Sequence, residues 1–180
     1  GGILQGNATS LQGNILNNSS VVFDQATDGT YVSNMSGTGM LTKAGAGTLI
    51  LGGSNSYSGG TLVSAGLLQG TTTSVQGAIL NNASVAFNQS TTGTYAGNMG
   101  GAGSLLVNGT GTVILSGINS YTGGTTVAGG VLQGNSASLQ GNILNNASVV
   151  FNQTGSGTYA GNMSGTGGLL ISGTGTVILS

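Results

Sequence analysis

A single interval organises this chain. Leu4-Gln5-Gly6 returns as Leu68-Gln69-Gly70 and again as Leu132-Gln133-Gly134, the residue number rising by 64 each time. Phe23, Phe87 and Phe151 keep that interval, as do Tyr31, Tyr95 and Tyr159, then Met35, Met99 and Met163, and Leu51, Leu115 and Leu179. No insertion or deletion interrupts it. A fixed period of this kind marks an array in which each unit buries its apolar face only by stacking on its neighbours. The expected organisation is one continuous segment over 1–180, with repeat 1 at 1–64, repeat 2 at 65–128 and a partial repeat 3 at 129–180. Both ends fall inside a repeat and read as segment boundaries rather than domain edges.

Within a copy the apolar runs are strand-sized: Ser74 to Leu80, Ser84 to Phe87, Thr94 to Met99, Leu105 to Val107, Thr112 to Leu115, Thr125 to Ala128 and Val131 to Gln133. Gly, Asn and Ser separate them, as in Gly100-Gly101-Ala102-Gly103 and Asn119-Ser120-Tyr121-Thr122-Gly123-Gly124, which are turn chemistries. No stretch sustains a 3.6-residue apolar period, so essentially no helix is expected. Short strands, each followed by a bend, suit an all-β, right-handed parallel β-helix with three strands to a turn of roughly 20 to 24 residues. A copy then makes about three rungs, and the chain a rod of about eight rungs, roughly 40 Å long at the ~4.8 Å spacing of paired strands. An antiparallel meander would favour recurring Asn-Gly or Asp-Gly hairpins; Asn108-Gly109 and Asp28-Gly29 occur, but neither dipeptide recurs in the other copies. A transmembrane barrel needs aromatic girdles, and only 4% of residues are aromatic.

The chemical inventory is narrow. There is one Lys or Arg and there are two Asp or Glu, with no His, Cys, Trp or Pro, so most catalytic side chains are missing. With 37% apolar residues and a formal charge of −1, the chain departs from disordered sequences, which combine low hydrophobicity with high net charge. A lone Lys43 cannot displace the counterions of a nucleic acid or dock on an anionic membrane. No run approaches the ~18 apolar residues of a spanning helix, and no signal-peptide pattern opens the segment. Without cysteine there is no disulfide framework and no thiolate metal site.

The stretch from Leu41 through Gly45-Ala46-Gly47-Thr48-Leu49-Ile50-Leu51-Gly52-Gly53-Ser54-Asn55-Ser56-Tyr57-Ser58-Gly59-Gly60-Thr61 to Leu68 resembles the autotransporter-associated β-strand repeat of type V secretion passengers. Gly109-Thr110-Gly111-Thr112-Val113-Ile114-Leu115 followed by Asn119-Ser120-Tyr121-Thr122-Gly123-Gly124-Thr125 is a still closer match. About half of each copy carries the motif. It departs from the pattern at Lys43, where the other copies have Val107 and Ile171. The resemblance implies a β-helical passenger, export across the outer membrane through a C-terminal barrel that is not in this sequence, and display at the bacterial cell surface or outside the cell. It also implies that Leu49 and Leu51 point inward and Ile50 outward, as strand alternation requires. Phe23, Phe87 and Phe151 are expected in the same core.

Candidate sites are few. Asp24 and Asp28, four residues apart, are the only carboxylates and the one pair able to serve acid/base or cation chemistry. Their counterparts are Asn88 and Thr92, then Asn152 and Ser156, so both read as solvated turn residues. The glycine-rich stretches lack the regular Asp of calcium-binding β-rolls, and glycine at solenoid corners accounts for them better than phosphate binding. Asn17-Asn18, Asn81-Asn82 and Asn145-Asn146 read as corner-stabilising amides rather than glycan acceptors. Thr48, Thr112 and Thr176 recur only once per copy, too sparsely for an ice-binding array. No catalytic, metal or cofactor residue is expected. The expected role is a passive stem holding a distal region away from the cell, with an adhesive wall as the alternative and neighbouring rungs as the principal partners. The near-absence of charge and the unpaired strand edges of the end turns also point to self-association.

Overall fold

The computed structural model describes residues 1–180 and contains 23 short strands and no helix. All strand pairings are parallel. Strands adjacent in sequence do not pair with each other; each bonds to the strand one turn earlier or later. The result is a three-faced β-solenoid of about nine turns. Right-handedness is the hand that twisted strands impose on parallel crossovers.

The turns are tighter than expected, and their length varies in a fixed order. On the first face Leu4 lies under Val21, Val21 under Leu41, Leu41 under Thr61, Thr61 under Ile79, and Ile79 under Met99. In residue number those steps are 17, 20, 20, 18 and 20, about 19 to a turn. A 64-residue copy therefore makes three turns and one face more. Leu68, the counterpart of Leu4, lies on the second face, beneath Val85 and Leu105. Leu132 lies on the third, beneath Val149 and Leu169.

The remaining expectations about strands hold with two corrections. Ser74 to Leu80 is not one strand: Val75 donates back to the Thr71 carbonyl (3.0 Å), the Ser74 hydroxyl accepts the Thr71 N–H (2.7 Å), and only Ile79–Asn81 is extended. A hydroxyl that caps its own turn competes with the ladder. Thr94 to Met99 breaks into Gly93–Tyr95 and Met99–Gly100, because a corner falls between them.

Alternation sorts the side chains. Leu49 and Leu51 are buried and Ile50 between them is not; Leu115 is buried and Ile114 is not. Phe23, Phe87 and Phe151 are wholly inside, and each packs on the tyrosine eight residues later, with ring centroids 5.2 to 5.3 Å apart. Thirty buried apolar residues form one core along the rod axis, each large side chain contributing roughly 1.5 to 3 kcal/mol. In the last turn Leu169, Ile171 and Leu179 are exposed, since no further turn covers them. Gly37, Gly101 and Gly165 have φ of 103°, 103° and 104°. A Cβ there would strike the carbonyl of Asn17, Asn81 or Asn145 one turn below, which is why this corner is glycine in every copy.

Candidate functional site

The chemistry this chain possesses is concentrated at its corners, where strand pairing stops and side chains take over the backbone groups. Asn17, Asn81 and Asn145 are buried, and each spans two rungs. Their Nδ2 groups donate to the carbonyls of Met40 (3.0 Å), Ser104 (2.8 Å) and Gly168 (2.8 Å), while their Oδ1 atoms accept from Ser19, Ala83 and Ala147 (3.2 Å each). These are corner-stabilising amides, as expected. Successive copies place them on successive corners, so they do not stack on one another.

Asn55 and Asn119 tie three rungs. Met35 N–H donates to Asn55 Oδ1 (2.7 Å) and Asn55 Nδ2 donates to Ser74 O (2.6 Å); Asn119 repeats this with Met99 (2.8 Å) and Ser138 (2.7 Å). They are the Asn of the Asn-Ser-Tyr motif, so the motif signalled their position although not their bonding. The following Tyr57 and Tyr121 are buried, with hydroxyls bonded to Thr61 and Thr125 (2.8 and 2.6 Å). Burial holds both phenols above their ordinary pKa, and Tyr121 is pushed up to about 12. Gln25, Gln89 and Gln153 accept the N–H of Ala8, Thr72 and Ser136 from the turn below (2.9, 3.1 and 2.9 Å). No buried side-chain polar atom is left without a partner.

Asp24 and Asp28 lie exposed at one corner. Asp28 Oδ1 accepts the N–H of Thr48 (2.7 Å), which holds its carboxyl below the usual range. Asn14, Asn34, Asn98 and Asn142 each accept an N–H from one turn later in the same manner. Asp28 is thus a corner acceptor like these asparagines. No three His, Cys, Asp or Glu side chains come together.

Lys43 is the residue whose setting sequence reasoning did not give. It is fully buried, in an inward column of Gly6, Phe23, Lys43, Val63 and Asn81. The same column on the second face reads Gly70, Phe87, Val107, Val127 and Asn145. Its ammonium turns to the corner and donates to the carbonyls of Ala44 (2.8 Å), Gly45 (2.8 Å) and Ala65 (3.0 Å). Three protons thus meet three acceptors. Desolvation lowers its pKa, and the nearby Asp24 and Asp28 charges partly oppose that shift. The Val and Ile at the matching positions were the signal for an inward site.

The Passenger-associated-transport-repeat family matches twice, at residues 41–69 and 105–133. Both matches run from the Leu41 or Leu105 strand, through the Asn-Ser-Tyr corner, to the Leu-Gln pair that opens the next copy. Over 82% of its length the chain is also 34% identical to the "Adhesin BmaC autotransporter" of Brucella suis biovar 1 (strain 1330). It spans only 5% of that relative's length. No solved structure matches. The repeat match, the relative and the unbroken parallel solenoid agree: this chain is a segment of a surface-exposed or secreted autotransporter passenger built on passenger-associated transport repeats.

Proposed function

We propose that this segment is the structural stem of its passenger, a non-enzymatic solenoid that presents a distal region at the cell surface. The observation that carries this reading is the use of the polar side chains. The buried asparagines and glutamines and the one lysine are spent on rung-to-rung hydrogen bonds, and what faces outward is a low-charge wall of Thr, Ser, Leu, Gly and the remaining Asn and Gln. The largest surface groove, of about 510 Å³, is lined by Ala46, Gly66, Leu67, Leu106, Thr126 and neighbouring residues, none of them charged. Such a wall supplies length and stiffness without reaction chemistry. Export through a C-terminal barrel belongs to the same proposal.

A second reading, an adhesive wall, is favoured by the relative being an adhesin. Self-association through outward leucines belongs to that reading. Replacing this segment in the full-length passenger by an unrelated β-helix of equal length separates the two. A stem predicts that surface display and binding persist. An adhesive wall predicts that display persists while binding or cell aggregation is lost. Loss of display itself would contradict the stem proposal, because a stem is replaceable by any solenoid of its length.

A further inference from the structure

The extra face per copy also sets how the outer surface is displayed. Outward side chains stack in register as the inward ones do. On the second face the outward column runs Thr30, Ile50, Gln69, Ala86, Leu106, Thr126, Leu144 and Ser164. On the third, Thr94, Ile114, Gln133, Val150 and Leu170 follow the same order one copy later. On the first, Thr158 and Ile178 begin it again. Every face carries one cyclic series, shifted by one copy.

Exposed apolar groups follow that path. Leu16, Leu80 and Leu144 occupy one position of the copy and are 71%, 50% and 42% exposed. Leu80 stacks on Leu62 on the first face and Leu144 on Thr126 on the second. Leu16 lies in the separate pairing with Met35–Ser36 that continues, through Asn55, Ser74 and the turn after it, into the third face. We propose that the 64-residue copy is a unit of three-sided display. Each copy presents the same outward positions, with residue differences such as Thr42, Leu106 and Leu170, about 120° around the rod from the last and ~16 Å further along it, at ~4.8 Å per rung. One surface returns to the same face only after three copies, ten rungs or ~48 Å on.

This geometry selects the kind of partner. An extended flat surface lies against one face and meets a copy-borne contact once in three copies. Separate molecules approaching side-on reach successive copies from different directions without colliding. The three charged side chains all lie in the first copy. Contacts made by the later copies are therefore uncharged, and their strength varies little with salt. The three-sided display is the same whether the segment is stem or adhesive.

The chain has no cysteine, which permits a direct count. Leu16→Cys, Leu80→Cys and Leu144→Cys, singly and together, are coupled to biotin and saturated with monovalent streptavidin, a probe wider than the rise between copies. Mass photometry reads the stoichiometry, and circular dichroism confirms that each labelled protein keeps the parental β spectrum. Each single variant binds one probe, and the triple variant binds three. Fewer than three on the fully labelled triple variant places copies on a shared face and overturns the proposal. Thr30→Cys, Thr94→Cys and Thr158→Cys, all at exposed positions, repeat the count should a leucine variant fail to fold.

Discussion

Replacing Asn119 by alanine isolates the contribution of the corner amides. The side chain is 4% exposed, accepts the Met99 N–H at 2.8 Å and donates to the Ser138 carbonyl at 2.7 Å. Alanine leaves one buried donor and one buried acceptor unpaired on two different rungs. Each such group costs about 1 to 3 kcal/mol, so the pair costs about 2 to 6 kcal/mol, a large share of the 5 to 15 kcal/mol typical of a whole domain. With a guanidinium m-value of about 4 kcal/mol/M, the midpoint falls by about 0.5 to 1.5 M. Asn119→Asp keeps the acceptor but sets a buried carboxylate oxygen against the Ser138 carbonyl, so its midpoint falls at least as far as that of alanine. Asn88→Ala, at an exposed position in the Ser84–Gln89 strand, stays within about 0.5 kcal/mol. Hydrogen exchange adds locality, since the Met99 amide should lose protection first. An Asn119→Ala midpoint indistinguishable from that of Asn88→Ala would refute the reasoning.

Leu115→Asp buries an unpaired charge and should lose several kcal/mol, whereas Ile114→Thr faces outward and should lose less than about 1 kcal/mol; equal losses in guanidinium would invert the facing. Lys43→Val reproduces what the second copy carries in the same column and should cost less than Lys43→Ala, which adds a cavity; thermal melts of the two variants decide, and equal losses would contradict the packed column. Stability should fall above pH 10. Tyr121 ionises near 12 when folded and near 10 when unfolded, so its contribution is full below pH 10 and up to about 3 kcal/mol is lost as pH rises from 10 to 12. Lys43 acts in the opposite sense, adding stability as pH climbs towards 10.5 and nothing beyond. Unfolding midpoints at pH 8, 10 and 11.5 should therefore drop between the last two, and by less in Tyr121→Phe.

The parallel solenoid, the inward leucines and the phenylalanine core were legible because period and alternation are written directly in the residue order. The turn length was not. A 64-residue interval is satisfied by any coil that repeats its environment, and only the register shows that Leu68 has moved one face from Leu4. The Thr71–Val75 turn was hidden because its β-branched residues suit a strand, and the Ser74 hydroxyl bond and the Val75 N–H bond back to Thr71 distinguish it. Lys43 was not placed from the sequence because its column shows only in the register. A buried lysine is rare, and this one is accommodated because the corner offers three carbonyls at bonding distance.

The central claim is a tight coil whose step varies in a fixed order, and oxidation of paired cysteines tests it most directly. Leu62 and Leu80 are register partners on one face, and Leu106 and Thr126 are partners, at a slightly longer step, on the next. Adjacent parallel strands lie ~4.8 Å apart, within the ~4.4 to 6.8 Å Cα separation that a disulfide spans. Leu62→Cys with Leu80→Cys, and Leu106→Cys with Thr126→Cys, should each close an intramolecular disulfide under mild oxidation. Leu80→Cys with Leu144→Cys, one full copy apart, should not. Closure of the one-copy pair, or failure of either register pair, would contradict the coil described above.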